Sequence, residues 1–443
     1  MSSTLKATGK STDRTIGLAL VSSLLLGLSS CSPEPFETNE INKTEAPPGS
    51  TPGVVTILGQ FSEEDGRKFE QSLIPFEKRT GIDVIYQTTD DFNSLLRMRI
   101  ASFYEPDLAV LPQPGLMNDL VEGGHLVPLT EFMSPYALKS AYPDRWLDLG
   151  AVDDVPYGLW YRISLQSLVW YRPTAFEGKG YDIPNTWNEL NALADQIVAD
   201  GGTPWCIGLE SGASSGWPAT DWVEDIVLRT EGPEVYSQWV NNTMPFNSPP
   251  VIAAFKEFGR ILTKKGYVKG NAKQAANTPY EESALGIFSR PPDCYLHRQG
   301  SNISSFFPKA KRARVDYDVF PLPSIDPKFG TPLLVAGEAI VMFNHTPESQ
   351  ALMEYLATPE PHEIWAGLGG FLSPHKQVST DQYPDLVTRN IAQLLDDAEV
   401  IRFDGSALMP GYVGTDIFWA GMIEFAEGKS AEEVTKEIES SWP

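Results

Sequence analysis

VVTILGQFSEEDGRKFEQSLIPFEKRTGIDVIY, residues 54–86, carries the fold class of this chain. Val54 to Leu58 is a short aliphatic and β-branched run, as a buried strand requires. Gly59, Gln60 and Phe61 make a turn, and Ser62 is placed to cap a helix with Phe69, Leu73 and Phe76 on one face. Gly81 ends that helix, and Ile82 to Tyr86 reads as a second strand. A helix bearing Leu95, Leu96 and Ile100 follows, then a third strand from Asp107 to Leu111, closed by Pro112-Gln113-Pro114-Gly115. The order βαβαβ predicts a parallel, doubly wound sheet whose loops gather at its carboxyl edge, where open α/β sheets hold ligands.

The chain has 443 residues, enough for two domains with a sizeable core each. Its formal net charge of −24 argues against nucleic acid and anionic membrane surfaces as partners. The 11 Trp, 16 Tyr and 21 Phe suit neutral polar ligands with flat apolar faces, although most must pack the core.

Arg14, an apolar run from Ile16 to Leu28, and Ser29-Ser30-Cys31 read as a signal peptide too short to remain as a membrane span. Cys31 at the first mature position looks like a lipobox, with a lipid on the cysteine and residues 1–30 removed. Residues 31–53 are polar and proline-bearing, a flexible tether. Export leaves Cys206 and Cys294 as an even pair, either a disulfide or two buried thiols.

Between them lies Cys206-Ile-Gly-Leu-Glu-Ser-Gly-Ala-Ser-Ser-Gly-Trp-Pro-Ala-Thr-Asp-Trp222, which reads as a buried strand, a glycine-rich turn and a helix opened by Pro218. Thr331 to Phe343 reads as a long strand interrupted at Gly337-Glu338. Gly212-Ala-Ser214-Ser-Gly216 formally matches a nucleophile elbow, so a serine hydrolase using Ser214 is the enzymatic alternative. Trp217 and Pro218 would crowd such an elbow. Gly428-Lys429-Ser430 lacks the upstream glycine of a phosphate loop, His362-Glu363 lacks the second histidine of a zinc helix, and no cysteine pair has zinc spacing. The reading is therefore a binding protein, not an enzyme, with no cofactor and no metal.

FEKRTGIDVIY, PDLAVLPQPG and MEYLATPE, with the lipobox and tether, resemble the extracellular solute-binding proteins of carbohydrate ABC importers. TPWCIGLESG, GWPATDWVEDIVLRTEGPEVY, CYLHRQGS, GGFLSPHK and RFDGSALMPG look like the branch that binds α-glucosides, some of whose members take up glucosylated compatible solutes such as glucosylglycerol. The likeness runs from Val54 to Pro443. It implies a periplasmic-binding-protein fold of the maltose-binding type: two α/β lobes and a hinge of three crossings. Lobe one would hold 54–161 and 333–372, and lobe two 162–332 and 373–443. It also implies a lipid-anchored periplasmic monomer that captures a small carbohydrate and delivers it to membrane permease subunits. A non-sugar solute on the same fold, such as a polyamine or peptide, is the other alternative.

By position in that fold, lobe one offers Gln60, Phe61, Asp91 and Gln113 from strand ends. Arg162 and Ser164 lie on the first crossing. Ser211, Trp217 and Asp221 come from the glycine-rich turn and its helix, with Trp217 the first choice for stacking. His297, Arg298 and Gln299 follow Cys294, and a disulfide would brace them against that turn. Gly337 would let backbone approach the ligand, with Glu338 beside it as an acceptor. Phe371, Asp404 and Trp419 complete the set.

Overall fold

The computed structural model describes residues 53–61, 63–89 and 91–443. The expected signal peptide, the lipidation site Cys31, nearly all of the tether and the Ser62 cap lie outside the described residues. Strand β1 (Gly53–Gly59), helix α1 (Glu63–Thr80), β2 (Ile82–Thr88), α2 (Phe92–Ala101), β3 (Leu108–Leu111) and α3 (Pro114–Glu122) form the expected βαβαβ array. β1 pairs in parallel with β2 along its whole length and with β3 on its other side. Helix α1 buries Phe69, Leu73 and Phe76 against the sheet. The Asp107 carboxylate ties β3 to β1 by accepting from the Thr56 N–H and hydroxyl, both at 2.8 Å.

The sheet then becomes mixed. β4 (Leu159–Leu165) and β8 (Leu333–Met342) run antiparallel, β8 runs antiparallel to β3, and β9 (Ile401–Phe403) adds in parallel beyond β8. β8 is continuous through Gly337-Glu338, where the sequence suggested a break. The glycine serves close approach instead, because a Cβ there would lie 2.3 Å from the Arg162 carbonyl oxygen. Opposite it the ladder shifts: Glu338 faces Arg162, but Ala339 faces Trp160, leaving Tyr161 as an extra residue. Tyr161 and Arg162, adjacent in sequence, therefore both reach the Trp365 ring, at 6.0 and 5.6 Å, while Trp160 packs on Trp146 and Phe403.

A second, antiparallel sheet places β5 (Leu168–Tyr171) between β6 (Leu296–Arg298) and β7 (Asp318–Pro321). Parallel winding is thus a property of the first sheet. Helix α4 (Trp217–Thr230) is buried almost throughout, and Trp222 on it stacks on Phe258 at 5.5 Å and meets Trp205 edge-on. The expected strand at Cys206–Leu209 forms only isolated bridges, from Trp205 to Val268 and Leu296 and from Glu210 to Pro279. Pro204 withholds an N–H there, and Gly208 is wedged with the Thr278 and Pro279 carbonyls 2.8 Å from where its Cβ would be. Cys206 and Cys294 are joined as a disulfide across 5.4 Å between Cα atoms. Among the described residues, no helix is long and apolar enough to cross a membrane.

Candidate functional site

A cavity of about 600 Å³ opens at the carboxyl edge of the first sheet. The ends of β1, β2 and β3 bring Gln60, Phe61, Thr88, Thr89 and Gln113 to it, and β4 and β8 bring Arg162, Ser164, Gly337 and Glu338. The facing wall holds Glu210, Ser211, Ser214 and Trp217 from the turn before α4, with Tyr280, Asn302, Asp404 and Trp419.

Arg162 is the only cation among the described residues that line this wall, and three of its five N–H donors are committed. Nε and Nη2 form a fork to Glu338 at 2.9 and 2.6 Å, and Nη1 donates to Asp65 at 2.9 Å. Its guanidinium lies 4.6 Å from the Phe61 ring centroid. Burial alone would lower its pKa, but Glu338 and Asp65 outweigh burial and raise it, so the group is a permanent cation inside an ion triplet. Removing the arginine would leave Glu338 facing the cavity without its cation, while Asp65 keeps Lys68 and Ser305 as partners.

Two amide oxygens on the wall are buried without partners: Gln113 Oε1, on a residue only 4% exposed, and Gln166 Oε1. An unpaired buried acceptor costs about 1–3 kcal/mol, and both side chains line the cavity. Across from them, Trp217 and Tyr280 form an aromatic corner with ring centroids 5.1 Å apart at 69°. Backbone pairing holds the corner, with Glu210 N–H to Thr278 O at 3.1 Å and Tyr280 N–H to Glu210 O at 2.9 Å. The Trp419 indole is fixed by donating to Ser406 Oγ at 3.0 Å.

Behind Asp404 lies a buried acidic group. Asp221, Glu224 and Asp404 bring one oxygen each within 4.8 Å of one another. Glu224 accepts from the Gly405 and Ser406 N–H groups, and Asp404 accepts from the Ser406 hydroxyl and the Ala407 N–H. Arg298 pairs with Asp221 and Asp225, and Arg229 with Asp225, so two guanidiniums face four carboxyls. Burial raises the pKa of Asp221 to about 8, lifts that of Glu224 well above its ordinary value and raises that of Asp404. Shared protons, rather than a metal ion, fit carboxyls already supplied with this many N–H and O–H donors.

Eleven of the residues expected from sequence line the cavity: Gln60, Phe61, Gln113, Arg162, Ser164, Ser211, Trp217, Gly337, Glu338, Asp404 and Trp419. Six do not. Asp91 instead caps α2, its carboxylate accepting from Ser94 N–H. Asp221 and Arg298 are fully buried in the ion network. His297 turns inward to the Cys206 carbonyl at 2.9 Å, and burial lowers its pKa to about 4. Gln299 folds back to accept from the Gly300 N–H at 2.7 Å. Phe371 stacks on Trp365 at 4.8 Å, under the site rather than in it. Glu210, Gln166, Tyr280 and Asn302 line the cavity without having been singled out. Glu210 was inside the quoted turn, whereas Tyr280 and Asn302 are brought in only by long-range pairing.

Ser214 also faces the cavity, but it belongs to a 3-10 turn (Gly212–Ser214), and no described histidine hydrogen-bonds to it. His297, His362 and His375 are held by backbone carbonyls elsewhere. The nucleophile-elbow alternative therefore falls on geometry.

Fold and cavity together define a receptor for a small polar solute. The chain belongs to the bacterial extracellular solute-binding protein family, which it matches over residues 61–363, a family of transport receptors and not of enzymes. It is 49% identical over 392 residues to the osmoprotective compounds-binding protein of Synechocystis sp., covering 88% of this chain and 92% of that one. It is 40% identical over 396 residues to the alpha-glucosides-binding periplasmic protein of Rhizobium meliloti, covering 88% and 86%. The bacterial solute receptor AcbH, with a preference for β-D-galactopyranose, superposes with TM-score 0.75 at 19% identity, over 88% of this chain and 98% of that one. Maltose-bound MalE3 of T. maritima superposes at 0.69 and 17%, over 88% and 98%. These two likenesses concern the fold.

Proposed function

We propose that this protein is the receptor of an ABC importer for an α-glucoside, glucosylglycerol and the glucosylated or disaccharide osmoprotectants being the best-fitting class. The observation that carries the reading is the cavity wall. Gln113 and Gln166 line the cavity together with the Trp217–Tyr280 aromatic corner, a mixture of amides and ring faces that suits a hydroxyl-rich ring with an apolar face. The relatives named for osmoprotective compounds and α-glucosides cover nearly the same length.

In this reading the chain forms two lobes, 54–161 with 333–372 and 162–332 with 373–443, and the first sheet spans their boundary, since β4 crosses it at residue 162 and β9 comes from the second lobe. Ligand bridging them lowers the free energy of a closed form that membrane permease subunits recognise. Gln60, Phe61, Gln113, Gly337 and Glu338 act from the first lobe, Ser211, Trp217, Asp404 and Trp419 from the second, and Arg162 and Ser164 from the first crossing between them. A lipid on Cys31 tethers the monomer to the membrane in the periplasm. Calorimetric titration with glucosylglycerol, sucrose, trehalose and maltose tests the reading. Saturable binding of at least one supports it, and no heat from any of the four removes the α-glucoside assignment.

A further inference from the structure

The hydrogen-bonding sense and the charge of the cavity wall point the same way. Five carboxyl side chains line the cavity: Glu63 at the rim, then Glu210, Glu281, Glu338 and Asp404. The single lining cation, Arg162, already donates to Glu338 and Asp65. The partnerless buried atoms on the wall, Gln113 Oε1 and Gln166 Oε1, are acceptors as well. A ligand entering this space meets neutral amide and hydroxyl groups that can donate or accept, and among charged groups more carboxyls than the one guanidinium, three of whose five donors are engaged. A carboxylate or phosphate on that ligand brings only more acceptors and a charge of the same sign. Hydroxyls and ammonium groups bring donors.

The aromatic corner adds a place for positive charge. Trp217 and Tyr280 present ring faces at 69° to each other, and the Glu210 backbone pairs with the strand-like segment that carries Tyr280. A cation over two such faces, with a carboxylate on the same turn, is attracted by both the ring quadrupoles and the charge. The attraction is local to a partly enclosed site, where screening by salt is weaker than at an open surface.

We infer that ligand charge is a specificity determinant of this cavity: it excludes anionic glucosides and accepts those whose second moiety is neutral or carries an ammonium group, the cationic ones most tightly. This rests on the α-glucoside reading above and narrows it to a class of aglycone.

Three near-isosteric probes test it: 2-hydroxyethyl, 2-aminoethyl and carboxymethyl α-D-glucopyranoside, titrated calorimetrically into the full chain at pH 7 in low and in high salt. The expected order of affinity is aminoethyl, hydroxyethyl, carboxymethyl, with at least a ten-fold span in low salt that narrows in high salt. Glu210→Gln is expected to reduce the aminoethyl preference by several-fold while leaving the hydroxyethyl probe bound. Equal affinity for the three, or tighter binding of the carboxymethyl probe, overturns the inference while the α-glucoside reading stands. Absence of binding by all three removes that reading, and this inference falls with it.

Discussion

Stability should fall as pH rises from about 6.5 to 8, and the buried acids behind Asp404 are the reason. Asp221, Glu224, Asp225 and Asp404 are all buried with two guanidiniums, Arg229 and Arg298. Neutrality of that group requires two protons. Burial raises the pKa of Asp221 to about 8 and raises Glu224 and Asp404 too, with Tyr236 OH donating to Glu224 at 3.1 Å. In the unfolded chain these carboxyls titrate near 4, so above pH 5 the folded state holds protons that the unfolded state has lost. Each such proton stabilises by about 1.4 kcal/mol per pH unit on the acid side of the folded pKa, so two set an upper limit of about 2.7 kcal/mol per unit, reduced near pH 8 as Asp221 ionises and near pH 6.5 by histidine protonation in the unfolded chain. Asp225, whose pKa is lowered, is ionised in both states over this range and adds no slope. Below about 6.5 the sign reverses. Burial holds the pKa of His297 at about 4 and that of His362 at about 3, and lowers that of His375, so the unfolded chain gains protons there that the folded chain refuses. Urea unfolding free energies between pH 5 and 9 should therefore peak near pH 6.5. In Glu224→Gln, whose amide can donate where the proton sat, the upper limit of the alkaline slope should drop to about 1.4 kcal/mol per unit. A flat or rising profile from pH 6.5 to 8 refutes the shared-proton account.

Trp217→Ala should weaken glucoside binding at least five-fold, since a stacked ring contributes about 1 kcal/mol beyond its area, while the melting temperature moves little because the ring is part-exposed; calorimetry and a thermal melt check both. Arg162→Ala should cost about 1–3 kcal/mol in urea unfolding, since Glu338 loses its cation at the cavity edge while Asp65 keeps Lys68 and Ser305, and a loss under about 0.5 kcal/mol, the scatter of surface substitutions, would show that the triplet is not a stabilising element. Replacing both Cys206 and Cys294 by alanine opens a loop with a sequence separation of 88; the chain-entropy expectation is a loss of about 4–5 kcal/mol, and an unchanged urea midpoint would contradict it.

The βαβαβ start was readable because each strand is a short apolar-rich run with glycine or proline at one end, Gly59 after the first, Gly81 before the second and Pro112 after the third, a pattern set by local chemistry alone. Gln60, Phe61 and Gln113 were found for the same reason, since strand ends of such a sheet converge on its carboxyl edge. Arg298 and Asp221 show where that reasoning stops. A polar side chain turned inward from a strand or helix can meet a ligand or another polar side chain, and the sequence pattern is identical for the two. Only the partner decides, and here Arg298 met Asp225 from α4. Phe371 was misplaced because its neighbour in space, Trp365, stacks on it from the other side of the Gly369-Gly370 turn. Tyr280 was missed because its position depends on backbone pairing with Glu210, seventy residues away in sequence, and no local signal reports such a pairing.

The extra residue in β4 makes the cation of the site a matter of strand length as much as of residue identity. Alternation along a regular strand would send Tyr161 and Arg162 to opposite faces. With the ladder shifted, both share the Trp365 side, so the arginine arrives with its own aromatic platform. Deleting Tyr161 would remove no charged group and no ligand-facing atom, yet it would straighten the strand and take the Tyr161 ring away from Trp365, which lies under the arginine. Transplanting the site into another scaffold would likewise demand the bulge, since copying every cavity-lining side chain onto a regular strand would bring Phe61 beneath Arg162 but leave out the Tyr161 ring that supports Trp365.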